Sequence, residues 1–399
     1  MSEPLSPGAP PAEGMVPLFV PEIRGNEWTY IKECLDTNWV SSVGPFVDRF
    51  EREIAQAVGI RHAVAIVNGT SALHLALLIS GVERDDEVIV SALTFIAPAN
   101  AIRYTGAWPV FMDAEPRYWQ MDPGKLEEFL TRGCEWTDGV LRNRATGRRV
   151  KAIVPVGILG HPCDMDAILT IARRFELQVI GDATECLGAT YKGRSMAAGC
   201  DSACYSFNGN KIITTGGGGM IMTDSETIAA RARYLSTQAK DDPIEYVHGE
   251  VGFNYRLTNI QAAMGVAQLE QLPSYVEAKR NIAERYREAV ASVPGLTAMP
   301  ESPDVCSTFW LYTVLVDEAR FGIDSRALLR SLSDAQIQAR PLWQPLHRSK
   351  PFHGCPAYRV EVADLLARDA LSLPSSVSLD TAQQERVVET LRAAATVPR

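Results

Sequence analysis

The chain has 399 residues, 46% of them hydrophobic, enough for one large core and a second smaller one, so two structured domains are expected. Its net charge of -9 argues against a general nucleic-acid binder, and an anionic substrate would have to be met by arginines gathered locally. No apolar run approaches the ~20 residues that span a bilayer, and no charged-then-apolar leader opens the chain, so a cytoplasmic location with no membrane partner is expected. The eight cysteines show no C-x-x-C pair and no histidine at metal spacing, which predicts reduced structural thiols and no metal site. For Cys200 and Cys204, the closest pair, apolar neighbours favour core packing over a metal.

Residues Ser2 to Gly14 are rich in proline, alanine and glycine without apolar periodicity, and predict a disordered tail over 1–15. Structure should begin near Val16, with a large domain over 16–262 and a smaller α/β domain over 263–399. A helix after Gly25 carries Trp28, Ile31 and Leu35 on one side and ends before Asn38. The segment Trp39 to Pro45 reads as a loop, with Ser41 a candidate substrate contact. A helix from Phe46 repeats Phe46, Phe50 and Ile54 at helical spacing. Strand Ala63 to Val67 then breaks at Asn68-Gly69-Thr70-Ser71 into helix Ala72 to Ile79. Strand, glycine, hydroxyl pair and helix make an anion seat, although Thr70 or Ser71 acting only as an N-cap is the plainer reading. Strand Glu87 to Ser91, loop Thr94-Phe95, a helix from Pro98 to Tyr104 and strand Trp108 to Met112 follow. Residues Cys134 to Arg149 read as a basic hairpin or loop, a solvated face by default and a phosphate contact otherwise. Strand Lys151 to Leu159, helix Met165 to Phe175 and strand Leu177 to Ile180 complete an alternation that implies a parallel sheet covered on both faces.

In such a sheet ligands sit beyond the carboxyl ends of the strands, where Asp182 emerges. Between the apolar run Ser202 to Phe207 and the glycines Gly216 to Gly219 stands Lys211. A lysine desolvated there could form a Schiff base, or could simply be paired with a carboxylate. Beyond it come strand Met220 to Thr223, an arginine-rich helix over 226–235, and a polar aromatic loop, His248 to Asn259. Helices Ile260 to Leu272 and Tyr275 to Val293, strand Thr308 to Val316, helix Ser325 to Asp334 and strand Ile337 to Arg340 follow. A rigid loop from Pro341 to His347 and a last helix, Thr381 to Ala395, complete the chain. Gly69 to Ser71, Phe95, Asp182 and Lys211 together are what pyridoxal phosphate needs. The helix end holds the phosphate, Phe95 covers the ring, Asp182 keeps the pyridine nitrogen protonated, and Lys211 carries the aldehyde and then moves the proton.

Gly-Thr-Ser-Ala-Leu-His at 69–74, Thr-Phe-Ile-Ala-Pro-Ala-Asn at 94–100 and Asp-Ala-Thr-Glu at 182–185 occur in that order. Ser-Phe-Asn-Gly-Asn-Lys at 206–211 and Gly-Phe-Asn-Tyr-Arg at 252–256 complete the set, and the chain resembles the DegT/DnrJ/EryC1/StrS family of sugar aminotransferases. The resemblance implies an α/β enzyme of PLP-dependent fold type I, homodimeric, with active sites shared between subunits. It implies that Thr70, Ser71 and Ser206 contact the cofactor phosphate, that Glu185 lies near the ring hydroxyl, and that Asn254 reaches the phosphate of a second subunit. Glutamate would load the amine and a nucleotide-linked ketosugar would take it.

Many relatives have glutamine or histidine where Glu185 stands, histidine at Gly157 and glutamate at Gly217. The Asn-Gly-Asn-Lys and four-glycine form is similar to the branch that aminates C4 of UDP-linked 4-keto-6-deoxy-N-acetylhexosamine, towards legionaminic acid or bacillosamine. Alternatives are a C3 ketosugar aminotransferase, a GDP-perosamine-type synthase, or a non-catalytic regulator of the same fold. Retention of both Asp182 and Lys211 counts against the regulator. Arg256, Trp343 and His347 are either substrate neighbours or structural residues at a domain boundary.

Overall fold

Five-residue apolar strands and the helices between them build one large layered domain in the computed structural model, which describes residues 14–242 and 244–395. The expected tail lies outside the described residues except for Gly14 and Met15. Met15 is buried and Val16 pairs with Ile337.

The main sheet runs His62–Ile66, Gly219–Thr223, Ser202–Ser206, Gln178–Asp182, Val150–Val154, Glu87–Ser91, Trp108–Met112 and Ala357–Tyr358, from edge to edge. Gly219–Thr223 is antiparallel to both neighbours and every other pairing is parallel. Both faces are covered, which is why strands such as Glu87–Ser91 are buried at every position. The two-residue period still sorts the side chains. Val64, Ile66, Val88 and Val90 join one apolar layer with Leu73 and Leu77 of helix Gly69–Ile79. Ala63, Ala65 and Ile89 join the other with Phe50 and Ile54 of helix Pro45–Val58.

A four-stranded antiparallel sheet, ordered Leu296–Thr297, Tyr312–Val316, Ala370–Leu373 and Arg340–Pro341, forms the core of the C-terminal region. Asp113, just past the end of Trp108–Met112, fastens that region to the large sheet. Its carboxylate is wholly buried, accepts from the backbone N–H groups of Glu361, Val362 and Ala363, and pairs with Lys125 Nζ at 2.6 Å.

Several expectations change. The two helices anticipated over 260–272 and 275–293 are one, Asn259–Ala291, opened by a capping box of Thr258 and Gln261 and running through Pro273. A proline inside a helix costs about 3 kcal/mol, but Leu269, Leu272 and Tyr275 on either side of it are buried in one layer and hold the helix together. The helix continues to Ile282, Ala283 and Tyr286 in the other apolar layer, so position 262, the expected domain division, falls within its first turn. The stripe Trp28 and Leu35 of helix Glu27–Asp36 points outward, with Trp28 77% exposed. That helix is attached instead through Glu27, which accepts from Gln268 Nε2, and through the buried Cys34 beside Asn259. The expected strand over 151–159 ends at Val154, and Ile158–Gly160 forms one tight turn.

The basic stretch is a hairpin, Cys134–Thr137 with Val140–Asn143. Its arginines are paired locally, Arg144 with Glu135 and Arg149 with Asp86, and Arg148 lies over the Trp108 ring. No helix among the described residues is long and apolar enough to cross a membrane.

Candidate active site

The parallel strands end on one rim, and several of the expected residues stand at or just past those ends. Asp182 and Ser206 are the last residues of their strands, Gly69 opens the helix after His62–Ile66, and Phe95 follows Glu87–Ser91 by four residues. Past Ser206 the chain turns through Asn208, whose carbonyl accepts from the Lys211 N–H and whose amide bonds Asn210. This turn lifts Lys211 above the sheet. The Lys211 Nζ lies 3.3 Å from Glu185 Oε1, and Glu185 Oε2 accepts from the Leu159 N–H at 2.8 Å. That bond needs Leu159 in the left-handed region, φ 59°, a costly conformation for a leucine and one held in place by the site.

Asp182 is 2% exposed and accepts from the Thr184 N–H at 3.1 Å. Burial pushes its carboxyl pKa up, and Thr184 and the Lys211 charge oppose the rise. Glu185 is shifted the same way by burial, pulled back by Lys211 and by the Leu159 N–H, and pushed up again by Asp182. Burial therefore opposes the charge on both acids, and the nearby Lys211 favours it. The remaining contact of Lys211 is the face of Trp310, whose ring centre is 4.2 Å from Nζ. The Trp310 indole N–H donates to the Asn210 carbonyl at 2.6 Å.

A helix does start at Gly69, with a different cap from the one expected. Asn68, not Thr70 or Ser71, is the N-cap and accepts from the Ser71 N–H, so the helix starts at Gly69 and neither hydroxyl is used in capping. A Cβ on Gly69 would stand 3.0 Å from the Ser206 Cβ and 3.4 Å from the Thr184 methyl, which brings the helix start, Ser206 and the Asp182 strand end together. The four glycines have different duties. On Gly219 a Cβ would meet the backbone of Asn68 and Gly69 at 2.5 to 2.7 Å, whereas on Gly217 its nearest neighbour is the Gln261 amide at 3.9 Å. Gly157 is equally constrained: a Cβ there would fall 2.4 Å from Cys186 Sγ and 2.6 Å from Met196 Sδ, so two sulfurs fill the space a larger side chain would need.

Phe95 is 55% exposed, its ring free to cover a planar ligand. Ser41 is exposed, and its carbonyl accepts from the N–H of Asn259, whose side chain also anchors Phe46 and Trp39. Asn254 is exposed, with its carbonyl oxygen taken by Gln238. The Arg256 guanidinium donates to the buried Glu51 at 2.6 Å and to the Ala65 carbonyl, a structural pairing. Trp343 is half-buried against the core, and His347 stands 3.6 Å from Asp364, with its pKa drawn down by burial and partly restored by that carboxylate. The Leu346 N–H bonds the Ala92 carbonyl and so brings this loop to the rim. Sequence reasoning missed Trp310, Asn68 and Leu159. Asn68 was legible as a cap before Gly69, but nothing local marks the other two. No group of metal-ligating side chains occurs among the described residues.

A parallel sheet presenting a lysine amine, a buried carboxylate and a helix start against a serine fits pyridoxal phosphate, and defines a fold type I aminotransferase. Pyridoxal phosphate is the cofactor and a nucleotide-linked sugar the class of substrate. The chain belongs to the DegT/DnrJ/EryC1/StrS aminotransferase family, whose model matches residues 21–392. It is 40% identical over 380 residues to a GDP-perosamine synthase of Caulobacter vibrioides, covering 94% of this chain and 97% of that one. It is 38% identical over 378 residues to a putative pyridoxal phosphate-dependent aminotransferase, EpsN, of Bacillus subtilis, covering 94% of each. Among solved structures, S. venezuelae DesV in complex with a ketimine intermediate superposes with a TM-score of 0.84 at 30% identity, over 94% of this chain and 95% of that one.

Proposed function

We propose that this enzyme transfers an amino group from glutamate to C4 of a GDP-linked 4-keto-6-deoxyhexose. The observation that carries the reading is the Lys211 amine, held between the Glu185 carboxylate and the Trp310 face on the rim where Asp182 and the Gly69–Ser206 seat also lie. The GDP sugar and the C4 position rest on the 40% identical Caulobacter relative, since perosamine is a 4-amino sugar. The expected UDP-linked N-acetylhexosamine branch finds no support in that relative and is set aside in favour of the GDP-perosamine-type alternative.

In this reading Gly69, Thr70, Ser71 and Ser206 bind the cofactor phosphate through the helix start and hydroxyls. Phe95 covers one ring face. Asp182 keeps a proton on the ring nitrogen, and the rise in its own pKa from burial is reversed once that cation stands beside it. Glu185 meets the ring hydroxyl and, until then, balances Lys211. Bound in this way, the cofactor supplies an electron sink for the carbon that gains or loses the amine. Lys211 Nζ moves the proton between that carbon and the cofactor. A second copy of the chain, seated on the exposed apolar face of Trp28, Leu35 and Trp39, supplies Asn254 and completes the site.

Incubation with glutamate and a panel of GDP-, UDP- and dTDP-linked 4-ketosugars, followed by NMR of the product, tests the proposal. A new C4 amine on the GDP sugar is expected. An amine at C3, or turnover confined to the UDP or dTDP sugars, overturns it.

A further inference from the structure

Lys279 is a lysine buried in the interior of the fold. It sits in the helix Asn259–Ala291 with 1% of its surface exposed, and no carboxylate of the described residues is among its hydrogen-bond partners. Its Nζ donates to the Trp310 carbonyl at 2.6 Å and to the Ser375 carbonyl, with the Phe19 ring centre 5.1 Å away. Burying an unpaired ammonium is unfavourable, and burial pushes its pKa down to about 7. A methionine would fill the same space without that cost, so what the ammonium holds must account for its presence.

What it holds leads to the reacting amine. The residue whose carbonyl it grips, Trp310, is 4% exposed, bonds the Asn210 carbonyl through its indole N–H at 2.6 Å and lays its ring 4.2 Å from Lys211 Nζ. Trp310 stands just ahead of strand Tyr312–Val316, in an irregular segment that no sheet ladder fixes. We propose that Lys279 is a positioning residue for Lys211, fixing through Trp310 the ring face and the Asn210 carbonyl that set where the Lys211 nitrogen lies.

The Ser375 carbonyl joins the same clamp, and Ser375 Oγ accepts from the Tyr312 N–H, so helix, strand entry and the loop after Ala370–Leu373 meet at one ammonium. Two donations from one nitrogen suit a donor that must hold two carbonyls in a fixed place. An indole face favours a positively charged nitrogen in front of it. Moving Trp310 therefore moves the ring face and the Asn210 carbonyl away from the Lys211 nitrogen, with no contact between Lys279 and the cofactor. The inference rests on Lys211 carrying the cofactor.

The test uses the full-length protein loaded with pyridoxal phosphate, and reads the pH midpoint of the cofactor's visible absorption band alongside the melting temperature of the cofactor-free protein. Lys279→Met and Trp310→Phe are each expected to move the midpoint down by about one pH unit, and the double variant by no more than the larger single shift. A Lys279→Met midpoint within about 0.2 unit of the unmodified protein would reduce Lys279 to a structural tie, whatever its melting temperature, and shifts that add in the double variant would separate the two residues. If Lys279→Met fails to fold, Lys279→Gln is read in its place, because it keeps one donor group on a shorter side chain; an unmoved midpoint overturns the proposal. Borohydride reduction and peptide mapping report separately on the cofactor link. A label away from Lys211 refutes the proposed site, whereas a label on Lys211 with an unmoved midpoint refutes only the role of Lys279.

Discussion

Substituting alanine at each of the glycines Gly216 to Gly219 in turn should give four different results, because the space around each differs. At Gly217 the nearest atom to a new Cβ is a flexible amide at 3.9 Å and φ is not positive, so alanine should be neutral or stabilise by up to about 1 kcal/mol through the unfolded chain. At Gly216 there is room, but φ is +77°, and alanine should cost about 1 kcal/mol. At Gly218 the Cβ would fall 2.3 Å from Thr215 Oγ1, a hydroxyl that must then give up its 2.6 Å bond to the Gly217 carbonyl, for a cost of about 1 to 2 kcal/mol. At Gly219 the obstacle is backbone, Asn68 C and O and Gly69 N at 2.5 to 2.7 Å, and neither the strand nor the helix start can yield cheaply. About 3 kcal/mol or more is expected there. Since one of the displaced atoms, Gly69 N, belongs to the helix start proposed to seat the cofactor phosphate, affinity for pyridoxal phosphate should also fall by at least about tenfold, the equivalent of ~1.4 kcal/mol. Urea unfolding of the cofactor-free variants and titration of pyridoxal phosphate by absorbance measure the two effects. Equal stability and equal cofactor affinity for Gly219→Ala and Gly217→Ala would refute the steric reasoning. The open space also means that Gly217→Glu should fold normally.

Lys211→Ala should abolish amine transfer while far-UV circular dichroism stays unchanged. Its buried Glu185 then has no cation, and a folded-state pKa raised above the ordinary 4.5 means that the folded protein keeps a proton the unfolded chain has lost, so stability falls as pH rises above that value. A pH series of urea midpoints should show a steeper fall than in the unmodified protein; parallel curves would contradict the pairing. Asp182→Asn should lower the rate of amine transfer by at least about a hundredfold, the scale of a lost charge partner in the reacting state, and near-normal single-turnover rates would exclude the ring-nitrogen role. Asp113→Ala should lose about 3 to 5 kcal/mol of stability, because it strands Lys125 and the N–H groups of residues 361–363, while Asp113→Asn should lose less. Denaturation by urea separates the two, and a midpoint for Asp113→Ala equal to that of the unmodified protein would show that the carboxylate does not bind the C-terminal region to the sheet.

Local patterns determined much of this protein. Apolar runs of five alternating with helices specify a parallel sheet, and the strand ends Asp182 and Ser206 and the segments that follow them mark the rim, because side-chain period and turn chemistry act over a few residues. The motif Gly69 to Ser71 is similarly local, and Asn68 as its cap follows from the same rules. Tertiary structure decided the rest wherever two residues far apart compete for one group. Arg256 looked available for a substrate, but Glu51, some two hundred positions earlier, takes its charge. Pro273 looked like a helix end until burial on both sides outweighed the missing hydrogen bond. Trp310 reaches Lys211, and Lys279 reaches Trp310, only because strand entry, long helix and lysine turn converge in space, and no spacing along the chain encodes a 4.2 Å approach between residues a hundred positions apart.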